Sequence, residues 1–253
     1  MKILGITQAR VGSTRLPGKI FKQINGQSLL EIHLQRILKS KLLSSLKIAT
    51  TFEVGVEKIM AIANDLNVAI FQGSTDNVLD RFFHAAQPER PDYIVRFTSD
   101  CPLIDPDVID SAIQYTISHD YDYGSNTLLA TYPDGLDVEV FKYSALVEAF
   151  NSASLKSERE HVTPYIWKNS TFMGGNLFKS GCLKYLKDFS DIRITVDTED
   201  DFHVIEQLVH QLGIESSWLD YISFLKNNSE IMDINKKYAR NEGYIKSIDG
   251  DKV

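Results

Sequence analysis

What most restricts the folding of this chain is the regular exchange of two hydrophobic periods along its first 120 residues or so. Short aliphatic and β-branched runs, "KILGITQ", "LKIATT", "VAIFQG" and "YIVRFTSD", read as buried strands. Between them lie stretches with apolar residues at helical spacing. "SLLEIHLQRILKSK" sets Leu29, Ile32, Leu34, Ile37 and Leu38 on one side, with Ser28 at the cap position. "EKIMAIANDLN" and "DNVLDRFFHAAQ" follow, the latter with Val78, Leu79, Phe82 and Phe83 inward. In "DPDVIDSAIQYTISH", Asp105 is placed to cap and Pro106 to occupy the first turn. Strand and helix in strict alternation imply right-handed crossovers and a mainly parallel sheet with helices on both faces.

The alternation changes near Tyr121. "YDYGSNTLLATYPDGLDVEVF" reads as two extended stretches around a Pro-Asp-Gly turn, an antiparallel excursion. A helix "SEREHVTPYIWKN", strands "TFMGGNLF" and "IRITVD", and a helix "EDDFHVIEQLVHQL" come next. The organisation expected is one domain over residues 1–226 and a polar tail over 227–253, an arm or a disordered end. A net charge of −7 argues against nucleic acid as a bulk partner. No apolar run approaches the roughly 20 residues needed to cross a bilayer, and the apolar part of "MKILGITQAR" is too short for a signal peptide. Cys101 and Cys182 make no disulfide framework. A cytoplasmic protein is expected.

Within this acidic chain, "QARVGSTRLPGK" collects Arg10, Arg15 and Lys19 beside Gly12, Ser13, Pro17 and Gly18, directly after the first strand. In a parallel sheet ligands sit at the carboxyl ends of the strands, and the first loop is the usual phosphate position. Backbone N–H groups near a helix start suit an anion, and three cations supply the charge that several phosphates require. The bland counterpart is a solvated turn. The spacing matches neither a P-loop nor the G-x-G-x-x-G of dinucleotide oxidoreductases. Asp100 and Asp197 each end an apolar run, where a carboxylate either caps a turn or faces the binding edge. In "LDVEVF" the alternation puts Asp137 and Glu139 on one face and Val138 and Val140 on the other.

Taken together, "QARVGSTRLPGK", "FQGSTDNVLDRF", "VRFTSDCPLIDP", "DYGSNT", "YPDGLDVEVF", "EREHVTPYIW" and "RITVDTEDDF", in this order over about residues 2 to 212, resemble the CMP-sugar synthetase superfamily. That superfamily includes CMP-Kdo synthetase, the acylneuraminate cytidylyltransferases and the spore coat polysaccharide biosynthesis protein F group, whose pattern is nearest. Ser99 stands where many relatives carry Gly or Ala. The resemblance implies a Rossmann-like α/β nucleotidyltransferase fold, dimeric through the antiparallel excursion. It implies Mg²⁺-dependent transfer of CMP from CTP to a small acidic sugar or related acceptor, with release of pyrophosphate, for surface glycan synthesis.

By the same resemblance, Gln8, Ala9, Arg10, Gly12, Ser13, Arg15 and Lys19 grip the nucleotide phosphates, and Gln72, Gly73 and Ser74 contribute to base and ribose recognition. Arg10, Arg15, Lys19 and Asp100 are the implied catalytic groups, and Asp100 and Asp197 the metal ligands. Arg81, Asp137, Glu139, Arg159, Glu160 and His161 fall on the acceptor side, Arg159 pairing an acceptor carboxylate or phosphate. His161 is a general base only to the extent that its ordinary pKa range permits it. Transfer from another nucleoside triphosphate, a phosphate or phosphonate acceptor, and a non-catalytic nucleotide-binding protein are the readings that compete.

Overall fold

The computed structural model describes residues 1–13 and 15–252; Thr14 of the first loop and Val253 lie outside the described residues. The chain begins with β1 (Ile3–Gln8), the first loop, and a ribbon of β2 (Gln23–Ile24) and β3 (Gln27–Ser28). It continues through α1 (Leu29–Ile37), β4 (Ser45–Thr50), α2 (Val56–Asp65), β5 (Ala69–Gln72), α3 (Val78–Ala86), β6 (Tyr93–Thr98) and α4 (Pro106–Ser118). Then come β7 (Tyr123–Ser125), β8 (Glu139–Lys142), α5 (Tyr143–Ser152), α6 (Lys156–His161), α7 (Pro164–Lys168) and β9 (Ser180–Cys182). Four helices close the chain: α8 (Glu199–Leu212), α9 (Trp218–Asn227), α10 (Ser229–Met232) and α11 (Glu242–Asp249).

The main sheet runs β5-β4-β1-β6-β8-β7-β9, and β8 alone is antiparallel to its neighbours. Successive strand residues serve opposite layers, as the period of two demands. Ile3, Ile48, Val95 and Phe97 pack with residues of α1, α2, α4 and α8. Leu4, Ile6, Ala49, Ile94 and Phe141 pack with residues of α3 and α5. Both faces are therefore covered, which is why the parallel strands read as continuous apolar runs. Ser28 and Glu31 form a capping box at α1, and Asp105 caps α4 through the Asp107 and Val108 amides, with Pro106 in the first turn.

Four expectations change. "TFMGGNLF" is no strand: Thr171–Met173 is a single 3-10 turn ended by Gly174 at φ 84°, and the strand of this region is β9. "IRITVD" is extended but makes only an isolated bridge, Arg193 with Asp134. "SEREHVTPYIWKN" breaks into α6 and α7 at Val162, whose φ is 70°, and α7 restarts with Pro164 in its first turn. The segment after residue 227, expected as an arm or a disordered end, carries α10, beside α8 and α9, and α11, beside α6. Among the described residues, no helix is long and apolar enough to cross a membrane.

Candidate active site

The carboxyl ends of β1 and β6 open on a cleft of about 810 Å³. The first loop leaves β1 with Arg10 and Gly12 exposed, and Gly18, in the left-handed region at φ 68°, starts the short 3-10 turn over Lys19–Phe21. That turn returns Lys19 to the cleft. Its ammonium donates to Asp197 Oδ1 at 2.8 Å, to Asp100 Oδ2 at 3.3 Å and to the Val196 carbonyl at 2.7 Å. Burial alone would lower the pKa of Lys19, but the two carboxylates outweigh it and raise it. Burial would likewise raise Asp100; Lys19 and a hydrogen bond from Thr98 instead hold its carboxyl well below the usual range.

Arg15 pairs with the other oxygen of Asp197 at 2.8 Å and with Glu242 at 3.2 Å. The Gly12 amide donates to Glu53 Oε2 at 3.0 Å. Carboxylates of the chain thus stand where the loop would hold an anion. Arg10 has no ion-pair partner among the described residues. Arg193 anchors this side from beneath, with Nε on Asp201 at 2.7 Å, Nη1 on Asp134 at 2.6 Å and Nη2 on Asp197 at 3.1 Å. Asp201 also accepts from the Asp197 and Thr198 amides, so the start of α8 and the carboxylate of Asp197 are fixed together.

At the other end, Glu139 accepts from the hydroxyls of Tyr123 and Thr163, both at 2.6 Å, and ion-pairs with Arg96. Arg96 reaches Gln8 Oε1 at 3.2 Å, linking the two ends of the cleft. The Nε atoms of Arg96 and Arg81 are buried without a hydrogen-bond partner. Burial, and then Arg10, lower Arg81 to about 10. Burial, and then Asp137, push Asp134 up to about 7 against the pull of Arg240 and Arg193. Asp137 is also raised by burial, although it pairs with Arg240. Burial and then Arg96 lower His161 to about 4, so its imidazole is neutral near pH 7.

The donor set suits Mg²⁺. Asp100 and Asp197 each place an oxygen on the same ammonium, so the pair already encloses one cationic position. Among the described residues no group of three or more His, Cys, Asp or Glu side chains is placed to hold a metal ion. One or two carboxylates completed by substrate phosphates and water is how Mg²⁺ usually binds.

Of the residues singled out in the sequence, Gln8, Ala9, Arg10, Gly12, Ser13, Arg15, Lys19, Arg81, Asp100, Asp137, Glu139, Glu160, His161 and Asp197 line this one cleft. Gln72, Gly73, Ser74 and Arg159 are not among its lining residues. The Gln72 amide turns back to donate to the Thr51 carbonyl, the Gly73 amide binds the Thr50 carbonyl, and Ser74 accepts from the Asn77 amide, leaving Thr75 and Asp76 at the cleft. On α6, Lys156, Glu160 and His161 reach the cleft while Arg159 falls on another side of the helix. Sequence reasoning missed Arg96, Asp134, Arg193 and the stretch from Ala239 to Tyr244. "YIVRFTSD" carried the signal for Arg96, a lone cation inside an otherwise apolar strand.

A family model described as cytidylyltransferase matches residues 4–238. An uncharacterised protein of Methanocaldococcus jannaschii is 39% identical over 248 residues, 96% of this chain and 98% of its own. The spore coat polysaccharide biosynthesis protein SpsF of Bacillus subtilis is 32% identical over 218 residues, covering 83% and 88% of the two chains. Among solved structures, a cytidylyltransferase from Leptospira borgpetersenii superposes with a TM-score of 0.86 at 32% identity, covering 95% of this chain and 99% of its own.

Proposed function

The chain belongs to the cytidylyltransferase family, and from that premise we propose that it transfers CMP from CTP to a small acidic sugar, with Mg²⁺ and release of pyrophosphate, for surface glycan synthesis. One arrangement carries this reading: Arg10, Arg15 and Lys19 face Asp100 and Asp197 at one end of a cleft whose other end holds Arg96, Asp137, Glu139 and His161. A triphosphate displaces Glu53 from the Gly12 amide and Glu242 from Arg15, and takes up the loop's charge. Asp100 and Asp197 would hold Mg²⁺, which would supply further neutralisation of the phosphate charge. An acceptor hydroxyl from the Glu139 side attacks the α-phosphorus in line, its bond to phosphorus forming as the bond to the pyrophosphate oxygen breaks. The hydroxyl proton passes to a base on the acceptor side, where His161 is held neutral and Asp137 also lines the cleft. Arg81 and Arg96 offer unpartnered Nε–H groups to anionic parts of either substrate. The same reading makes the working unit a homodimer and places it in the cytoplasm, where CTP is made.

The test is pyrophosphate release from CTP, UTP, GTP and ATP, with and without Mg²⁺, in the presence of 3-deoxy-manno-octulosonate or N-acetylneuraminate. Release with CTP alone, dependent on metal and on one of the sugars, is the expected result. Equal release from every nucleotide would remove cytidine from the reading. Nucleotide binding with no release under any condition would favour a binding protein that has kept the fold.

A further inference from the structure

Residues 239–252 follow the last residue of the family match, Tyr238, and none of them belongs to either apolar cluster of the molecule. Their contacts are polar or aromatic, and most are directed at the cleft. Arg240 ion-pairs with Asp137 and donates to the Tyr132 carbonyl at 3.1 Å, and Glu242 pairs with Arg15. The Ser247 hydroxyl lies 2.9 Å from both Glu160 Oε2 and His161 Nε2. Asp251 accepts from the Ser157 amide at 2.9 Å and from its hydroxyl at 2.5 Å, so the far end of the segment caps the start of α6. Between these anchors Tyr244 stands edge-on to His161, ring centroids 5.1 Å apart, and to Trp167 at 5.9 Å. All three rings line the cleft on its acceptor side.

A segment that adds nothing to the core, yet is tied by three of its side chains, Arg240, Glu242 and Ser247, to cleft residues, serves the cleft. We propose that residues 239–252 form the acceptor-binding wall of the active site, with Tyr244, backed by His161 and Trp167, as the surface on which the sugar ring of the acceptor packs. The inference rests on the cytidylyltransferase reading. A pyranose presents one or both faces as a sheet of C–H groups, and an aromatic wall removes that face from water while the hydroxyls and the acid remain at the polar rim. The position of the wall also matters: Arg240 neutralises Asp137 from the segment itself, so acceptor geometry and the charge beside it depend on the same docked helix.

The experiment compares the full chain with Tyr244→Ala, Tyr244→Phe and Asp251→Ala, measuring KM for CTP, KM for the acceptor and kcat by pyrophosphate release with 3-deoxy-manno-octulosonate and N-acetylneuraminate. Tyr244→Ala is expected to raise acceptor KM at least tenfold while the KM for CTP stays within twofold, and Tyr244→Phe, which keeps the ring, to behave as the parent. Asp251→Ala, which removes the tie to Ser157 at the start of α6 without touching the cleft, is expected to raise acceptor KM in the same direction. Unchanged acceptor KM in Tyr244→Ala overturns the proposal. So does an increase in turnover on freeing the segment, which would make it an inhibitory cover, or a parallel loss of both substrates with a lowered Tm, which would make it structural. A parent chain that releases no pyrophosphate with either sugar overturns the underlying reading first and this inference with it.

Discussion

Lys19 holds together two carboxylates, Asp100 and Asp197, that lie far apart in the sequence, and its replacement separates chemistry from folding. In Lys19→Ala, Asp197 keeps Arg15 and Arg193, and Asp100 is partly solvated, so the cost to stability is about 1 kcal/mol. Turnover loses a cation aimed at developing phosphate charge, which typically costs about 10²–10³-fold. Kinetics at saturating CTP and acceptor alongside urea unfolding check this; near-parental kcat would remove Lys19 from catalysis. Asp100, depressed by Lys19, contributes stability that is present above its unfolded pKa and lost as pH falls through the lower folded value, so the variant gives up that contribution. Two histidines behave in a related way. His33, fully buried between Thr7 and the Cys101 carbonyl, and His161 are both lowered to about 4, chiefly by burial. The unfolded chain therefore takes up protons near pH 6.5 that the folded chain refuses, and each histidine costs stability progressively as pH falls from about 6.5 to 4. NMR titration of their ring protons should give midpoints near 4; a midpoint near 6.5 for His33 would refute its sealed environment. The first-loop cations were legible because they form one local string. Arg96 and Arg193 were not, because a lone arginine in an extended run acquires meaning only when Glu139, Asp134 and Asp201 are brought to it from elsewhere.

At the level of elements, the alternation through α4 was readable because both periods are local and each helix has its own start signal, as Ser28 and Asp105 show. Beyond Tyr121 the elements shorten and tertiary partners decide them. β7 and β9 are three residues each, and the Pro-Asp-Gly turn itself is set by contact with the stretch before α8, where Asp134 bridges Arg193, rather than by its own pattern. Gly135 is where that contact is closest. Its φ is 113°, and a Cβ there would sit 2.6 Å from the Ile194 carbonyl carbon and oxygen, both main-chain atoms. This close approach is what sets Asp134 against Arg193 and brings Asp137 to the cleft two residues later. Gly135→Ala should therefore cost on the order of 3 kcal/mol in stability, from backbone strain and overlap together. It should also lower activity in the fraction that remains folded, because Asp134 and Asp137 move with the turn. Thermal unfolding and the pyrophosphate assay on the same preparation check both effects, and a variant with parental Tm would mean that the two segments separate here at little cost.

For the molecule as a whole, the sequence marked the polar end as separate from the domain, and the structure ties it to the cleft. That contact was illegible because it is made by single polar side chains, Arg240, Glu242, Ser247 and Asp251, with no periodic signal. The unsatisfied surface lies elsewhere. β9 closes one end of the main sheet and pairs only with β7 among the described residues. Around it, Leu186 is fully exposed, and Leu129, Met173 and Leu177 are each about half exposed. Loops joining Thr171 to Ser180 and Leu129 to Cys182 hold most of these side chains beside that strand. An apolar group beside an unpaired sheet edge is where a soluble chain associates or aggregates. If the homodimer of the proposed function forms here, it hides the edge and the leucines in one step, within the roughly 800 Å² per partner that a stable interface needs. Light scattering after gel filtration should then give twice the mass of the chain. Leu129→Glu with Leu186→Glu should return a monomer with an unaltered far-ultraviolet spectrum, since both side chains lie outside the two cores. A parent chain that is monomeric at every concentration, or a double variant that remains a dimer, would place the interface on another face or remove it.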